Sequence, residues 1–353
     1  MSSSSRTCFL SVFLTCLVSC HATSDYLGSN YRIDVHSHAI PNVWTQAMIS
    51  EGFPVKNGTV YNDGAPVPEW SLESHISAMD GLGVNYSTIS ITAPGVSFIK
   101  EAKKAKTLAR HINLLLHEYT QIYPARLGAL CLLPLPFVNE AVEELNFCLE
   151  TLKFVGVGLY TNAQGIYLGD SALEPVFAAL NARNASVFVH PASPTCTSVA
   201  LGHPIPMTEY PFDTVRAMEN LLLTGQRARY PDLKIIFSHG GGAIPYLASR
   251  IAGVASLSYA GGVAFTETMA QLAGYYFDLA SATSVIQLTA LKSFVGAEHL
   301  VTGIDYPYVP LTQAEPGLAG IQGNGSFTNE EMGLIKYQNA LEIFPRISDA
   351  LKL

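Results

Sequence analysis

From Tyr31 onward, short apolar runs alternate with longer stretches in which apolar residues recur every three to four positions. The short runs, bounded by Gly, Pro, Asn or Asp, read as strands buried on both faces, and the longer period reads as amphipathic helix. The pattern predicts strands at Tyr31–His36, Tyr86–Thr92, Leu127–Leu133, Phe154–Tyr160, Ser186–His190, Lys234–His239, Gly274–Leu279 and Leu300–Ile304. Helices are predicted at Ser97–Tyr123, Asn139–Leu152, Glu174–Asn184, Asp213–Tyr230 and Val285–Phe294, with a last helical segment at Asn329–Ile343. Eight strands, each followed by helix or helix-capable sequence, are the arithmetic of a (β/α)8 TIM barrel, an α/β fold. A doubly wound open sheet is the alternative, but it calls for a glycine-rich phosphate turn after an early strand, and none is present. No long linker or low-complexity stretch interrupts residues 23–353, which read as a single domain.

Composition narrows the class. Of the 353 residues, 48% are hydrophobic and only 14% charged, which excludes disorder and a solvated helical rod. A net charge of −8 with no basic block removes nucleic acid and anionic membrane as partners. Six cysteines are too few for a disulfide scaffold.

Residues 1–22 differ from the rest. One cation, Arg6, precedes an apolar run from Cys8 to Cys20 that is too short to cross a bilayer but has the length of a secretory h-region. Cys20 and Ala22 would allow cleavage after Ala22, so a signal peptide and entry into the secretory pathway are expected; a non-functional leader would leave the protein cytoplasmic. Four sequons, at Asn57, Asn85, Asn184 and Asn324, give mild support for a glycoprotein. Cys131, Cys148 and Cys196 would remain after cleavage and allow one bridge at most. Cys131 in an apolar strand and Cys148 in an amphipathic helix read first as core residues.

The chemistry collects at the strand ends. His36 and His38 close strand one two residues apart, so both point to one face and can grip a single ion. His190 ends strand five and His239 ends strand six ahead of three glycines, which would let a ligand approach the backbone closely. Asp305 leaves the apolar eighth strand, a costly place for a carboxylate unless it is paired or bound to metal. Taken singly, each histidine is as readily a structural residue. Together, histidines and a carboxylate at the catalytic end of a barrel suit one divalent ion, Zn(II) first and Mn(II) second.

The phrases DVHSHAIP, GVGLYTNAQGIYLGD, VFVHPA, FSHGGGAIPYLASRI and GIDYP, with the closing NALEIF, resemble the amidohydrolase superfamily across Tyr31 to Phe344. They look most like its decarboxylase branch, typified by aminocarboxymuconate-semialdehyde decarboxylase. The resemblance implies that His36, His38, His190 and Asp305 hold the metal and that His239 is an acid/base beside it. Three departures sharpen it. Leu159-Tyr160-Thr161-Asn162 stands where binuclear hydrolases carry a carbamylated Lys, so one metal is expected. Ala243 stands where dihydroxybenzoate decarboxylases carry a Glu, leaving His239 without that partner. No Arg lies between Arg32 and Arg110 to hold a second carboxylate, so a monocarboxylate with an apolar body is the better fit.

Trp44, Phe53, Trp70, Phe212, Tyr306 and Tyr308 could line a pocket for that body, although large apolar residues near loops pack cores more often than pockets. Among these, Phe212, Tyr306 and Trp44 are the candidate substrate contacts, together with Arg250, which resembles an arginine reaching across a dimer interface. The H-x-H start, the GIYLGD run and the GIDYPY ending resemble the fungal 6-methylsalicylate decarboxylase group of polyketide secondary metabolism. The implied reaction is non-oxidative loss of CO2 from a small ortho-hydroxy aromatic acid, with His239 or Asp305 delivering the proton. A lactonase-like metal-dependent hydrolase would use the same residues, and a non-enzymatic barrel binding an aromatic acid is a further alternative. A homodimer is expected.

Overall fold

The computed structural model describes residues 27–28 and 30–353; the expected leader lies outside the described residues. Eight parallel strands follow one another in chain order: β1 (Ile33–His38), β2 (Tyr86–Ser90), β3 (Leu127–Leu132), β4 (Gly156–Tyr160), β5 (Val187–His190), β6 (Ile235–Phe237), β7 (Tyr276–Asp278) and β8 (Leu300–Val301). Past the short β8, the chain closes the ring onto β1: Val35 N donates to Thr302 O at 3.0 Å, and His38 N to Tyr306 O at 2.7 Å. The expected barrel is present, with every expected strand in place and most of them ending earlier than the apolar runs do.

The period-two alternation of a strand explains the layering. Leu130, Phe188 and Ile236 face the lumen and stack beneath the catalytic end, while their neighbours Cys131, Val187, Val189, Ile235 and Phe237 pack outward against the helices. The other end is plugged by the C-terminal helices. The Phe344 ring sits where a Cβ on Gly156 would approach it to 2.9 Å, and the Ser186 hydroxyl caps the Ile343 carbonyl.

Helix limits differ from the sequence expectation where turn chemistry intervenes. Pro94 and Gly95 delay the helix expected from Ser97 until Ala102. The Asp213–Tyr230 segment starts at Glu209 and breaks at Gly225, whose φ is 70°. A three-stranded antiparallel sheet follows the helix Asn42–Ser50: Val55–Lys56, Thr59–Asn62 and Ala65–Pro66. Its first turn is Asn57-Gly58, both with positive φ, the chemistry a two-residue hairpin demands. Cys131 and Cys148 are fully buried, as core residues would be, and they are also joined as a disulfide with Cα atoms 5.9 Å apart; Cys196 is free and exposed.

Candidate metal centre and active-site cavity

The β1 ending is held by a buried carboxylate. Asp34 accepts from His36 N at 3.0 Å, from Ser87 Oγ at 2.8 Å and from Ile304 N at 3.1 Å, tying β1 to β2 and to the end of β8. His36 and His38 therefore enter the lumen side by side, with Nε2 atoms 3.1 Å apart. His190 brings a third ring, 5.3 Å from His36 and 5.0 Å from His38 between centroids. Asp305 Oδ1 lies 3.4 Å from His36 Nε2 and 3.1 Å from His38 Nε2, and Oδ2 lies 3.3 Å from His239 Nε2. One donor atom each from His36, His190, His239 and Asp305 falls within 4.8 Å of all the others.

The outer ring nitrogens are all occupied. His36 Nδ1 meets Asp278 Oδ2 at 2.9 Å, His38 Nδ1 meets Ser90 Oγ at 3.1 Å, His190 Nδ1 meets the Pro191 carbonyl at 2.7 Å, and His239 Nδ1 meets Ser238 Oγ at 3.1 Å. Such partners orient a metal-binding imidazole and leave Nε2 for the ion. Asp305 Oδ1 is buried without a hydrogen-bond partner. A divalent cation satisfies this set of imidazole nitrogens and an orphaned carboxylate oxygen, so the residues fit a metal.

The electrostatics show the same crowding. Burial would lower the His36 imidazole, but the carboxylates of Asp278 and then Asp305 outweigh it and raise it to about 10. Burial would raise the Asp305 carboxyl, yet the charge on the His36 imidazole and the close ring nitrogens of His239, His36 and His38 hold it well below the usual range. His190 is pushed well below its ordinary value, by burial first and by the neighbouring His38 second. Burial likewise lowers His38.

His239 and Asp305 both adopt left-handed backbone, with φ of 55° and 65°. Gly240 continues that conformation, Gly241 and Gly242 also have positive φ, and protein atoms pack closely beside all three. A Cβ on Gly242 would lie 2.2 Å from Pro211 O, and one on Gly241 2.5 Å from the Phe277 ring. The glycines thus permit a strained turn and tight packing against Pro211 and Phe277, while Gly242 also borders the cavity above the cluster.

Above the cluster opens a cavity of about 580 Å3. Its floor carries His190, His239 and Asp305, and its apolar wall includes Ala65, Val67, Ala93, Ala243 and Val309. Among the described residues lining it, none is Lys or Arg. Asn62 reaches it from the antiparallel sheet, with its amide donating to Ala93 O at 3.1 Å.

The predicted substrate contacts fare differently from the predicted ligands. Trp44 is fully buried, donating Nε1 to Gly95 O at 2.7 Å, and packs the core. Phe212 is 43% exposed and outside the cavity wall, because the helix turns its neighbours Tyr210 and Pro211 inward instead. Tyr306 packs edge-on against His75 at 5.3 Å, and Tyr308, two residues on, takes the wall position. Arg250 is exposed on the helix Ile244–Ala255, away from the cavity. Sequence reasoning missed Asp278, Asn62 and Tyr210. Asp278 carries the signal that drew attention to Asp305, an acid at the end of an apolar strand; Asn62 ends a short hairpin strand and Tyr210 lies in the first turn of a helix whose start the sequence pattern does not mark.

A family model described as amidohydrolase matches residues 33–346. The decarboxylase yanB of Aspergillus niger is 33% identical over 329 residues, covering 89% of this chain and 88% of that protein. The 6-methylsalicylic acid decarboxylase of Penicillium expansum is 33% identical over 325 residues, covering 91% of this chain and 98% of that protein. A dihydroxybenzoic acid decarboxylase from Polaromonas, solved with bound manganese and the inhibitor 2-nitroresorcinol, superimposes with a TM-score of 0.78 at 20% identity, over 92% of this chain and 100% of that one; it shows the shared fold. The chain belongs to the amidohydrolase family, in its decarboxylase branch of carboxy-lyases.

Proposed function

We propose that the protein decarboxylates 6-methylsalicylate to 3-methylphenol and CO2 with one bound divalent ion. The observation that carries this reading is the cluster of imidazoles and Asp305 beneath a cavity whose wall is largely apolar and carries no cation. Such a wall accepts an aromatic ring with a methyl group and, among the described residues, offers no Lys or Arg to a second carboxylate. When bound by His36, His38, His190 and Asp305, the ion supplies Lewis-acid stabilisation of charge on the substrate's phenolic and carboxylate oxygens. Zn(II) suits so nitrogen-rich a set, with Mn(II) the alternative.

The chain's own residues do the rest. The ring lies against Ala65, Val67, Ala93 and Val309, which keep water from the carbon that bears the carboxylate. His239, with 16% of its side chain exposed, reaches both solvent and cavity, and Asp305 Oδ2 aligns its Nε2. It delivers a proton to that ring carbon, the hard step, because aromaticity is lost there. The C–C bond then breaks, its electron pair returns to the ring, CO2 leaves, and His239 regains a proton from solvent. The substrate methyl contributes about 1–3 kcal/mol of discrimination in such a pocket.

We further take the working form to be a homodimer in the secretory pathway. Support for the dimer is Arg250, exposed and without an ion-pair partner among the described residues, on a helix that also exposes Tyr246 to 88%. Support for the compartment is the Cys131–Cys148 bridge, which persists in oxidising surroundings, and an exposed Asn57 at a hairpin tip. The test of substrate is a panel: 6-methylsalicylate should be turned over, while 2-methylbenzoate, lacking the phenol, and a ring dicarboxylate should not. Equal turnover of 2-methylbenzoate would overturn the reading.

A further inference from the structure

Asp278 ends β7 fully buried, and the chemistry above gives it no part. Both of its oxygens are nevertheless committed to the site. Oδ2 meets His36 Nδ1 at 2.9 Å, and Oδ1 accepts from His239 N at 3.2 Å and from Ala280 N at 2.9 Å. Space for the carboxylate exists only because residue 303 is glycine, where a Cβ would come within 2.7 Å of Oδ1.

We infer that Asp278 is a positioning residue whose two carboxylate oxygens separately present His36 Nε2 to the metal and His239 to the substrate. This rests on the metal and acid roles proposed above. A carboxylate only accepts, so Oδ2 fixes the His36 proton on Nδ1 and leaves the Nε2 lone pair facing the cluster. The Ser238 hydroxyl behind His239 can donate or accept and fixes nothing of the kind. Oδ1 meanwhile draws in the His239 amide and holds that residue in its left-handed conformation, which places Nε2 3.3 Å from Asp305 Oδ2. One side chain thus couples a metal-holding imidazole on β1 to the acid at the end of β6.

Two substitutions separate the two oxygens. In Asp278→Asn, the amide oxygen still accepts from the His239 backbone, but the amide nitrogen faces His36 Nδ1 and donates to it, forcing the imidazole proton onto Nε2. Metal affinity, read by competition with a chromophoric chelator using Zn(II) or Mn(II), should fall by about 10–100-fold. At saturating metal, kcat should recover to within about tenfold of the native value, since the acid stays in place. In Asp278→Ala both contacts go, so metal affinity falls and kcat stays down by about 100-fold at saturating metal.

Native metal affinity in a folded Asp278→Asn protein would overturn the inference, and so would full recovery of kcat in Asp278→Ala. If either variant fails to fold, 15N-histidine NMR of the native zinc-loaded protein decides: His36 must carry its proton on Nδ1, and a proton on Nε2 overturns the assignment. The metal and NMR readings need no substrate. Failure of 6-methylsalicylate turnover would therefore refute the proposed substrate alone, whereas a native chain that binds no divalent ion would refute both readings.

Discussion

His239 is the residue on which the assignment of roles turns, because the donor geometry brings it to the cluster as closely as His190. The perturbation is His239→Ala, set beside His190→Ala. Removing a positioned acid costs about 10²–10⁴ in rate, roughly 3–5 kcal/mol of transition-state stabilisation. His36, His38, His190 and Asp305 would remain, and catalytic zinc sites commonly hold their ion with three protein ligands, so metal content should survive. His190 is buried, with its Nδ1 locked to the Pro191 carbonyl and its Nε2 committed inward, so His190→Ala removes a donor that nothing replaces. The assay pairs elemental analysis of the purified variants with kcat measured under excess metal. His239→Ala should keep at least half the native metal while losing about a thousandfold in kcat. Metal loss as complete as in His190→Ala would show that His239 is a ligand, and the acid would have to be found elsewhere.

Three other outcomes follow from the structure. Burial, and then the neighbouring His38, hold the His75 imidazole down at about 4 against an ordinary 6.5. The unfolded chain therefore takes up this proton first. The stability that neutral His75 supplies is complete above pH 6.5 and lost as pH falls towards 4, by up to about 3 kcal/mol. Urea unfolding should show a steeper acid loss for the native protein than for His75→Gln, and equal slopes would contradict this. The Cys131–Cys148 bridge spans a sequence separation of 17 residues. Replacing both cysteines with alanine should cost about 3 kcal/mol in chemical denaturation, and alkylation without reduction should label Cys196 and spare the other two. Gly242→Ala forces a methyl to 2.2 Å from the Pro211 carbonyl at a left-handed position. It should cost about 2–4 kcal/mol or displace His239, seen as a lower Tm or a kcat reduced at least tenfold with metal retained.

The barrel was legible because strands buried on both faces leave unbroken apolar runs, and the histidine–aspartate cluster because barrel chemistry stands at the ends of those runs. His36, His38, His190, His239 and Asp305 all sit where that rule puts them; one donor atom each from His36, His190, His239 and Asp305 lies within 4.8 Å of the others, and His38 Nε2 lies 3.1 Å from His36 Nε2. The cavity wall was hardly legible. Phe212 and Tyr210 differ by two positions on one helix, and which of them faces the cavity depends on where that helix starts, a boundary that no periodicity marks. Trp44 illustrates the opposite error, a large aromatic beside the first loop whose only role visible in the structure is packing and one bond to Gly95. The three glycines after His239 have the positive φ that their residue type allows; Pro211 and Phe277 pack against Gly242 and Gly241, and Gly242 also borders the cavity. The disulfide escaped because Cys131 and Cys148 look like core residues in sequence, and burial is indeed what they have.

The most direct test of the account follows 3-methylphenol by chromatography after the metal-loaded protein meets 6-methylsalicylate. The account predicts product that disappears with a chelator and returns when Zn(II) or Mn(II) is restored. Product that persists undiminished after complete metal removal, or none at all from a folded and metallated protein, would contradict it.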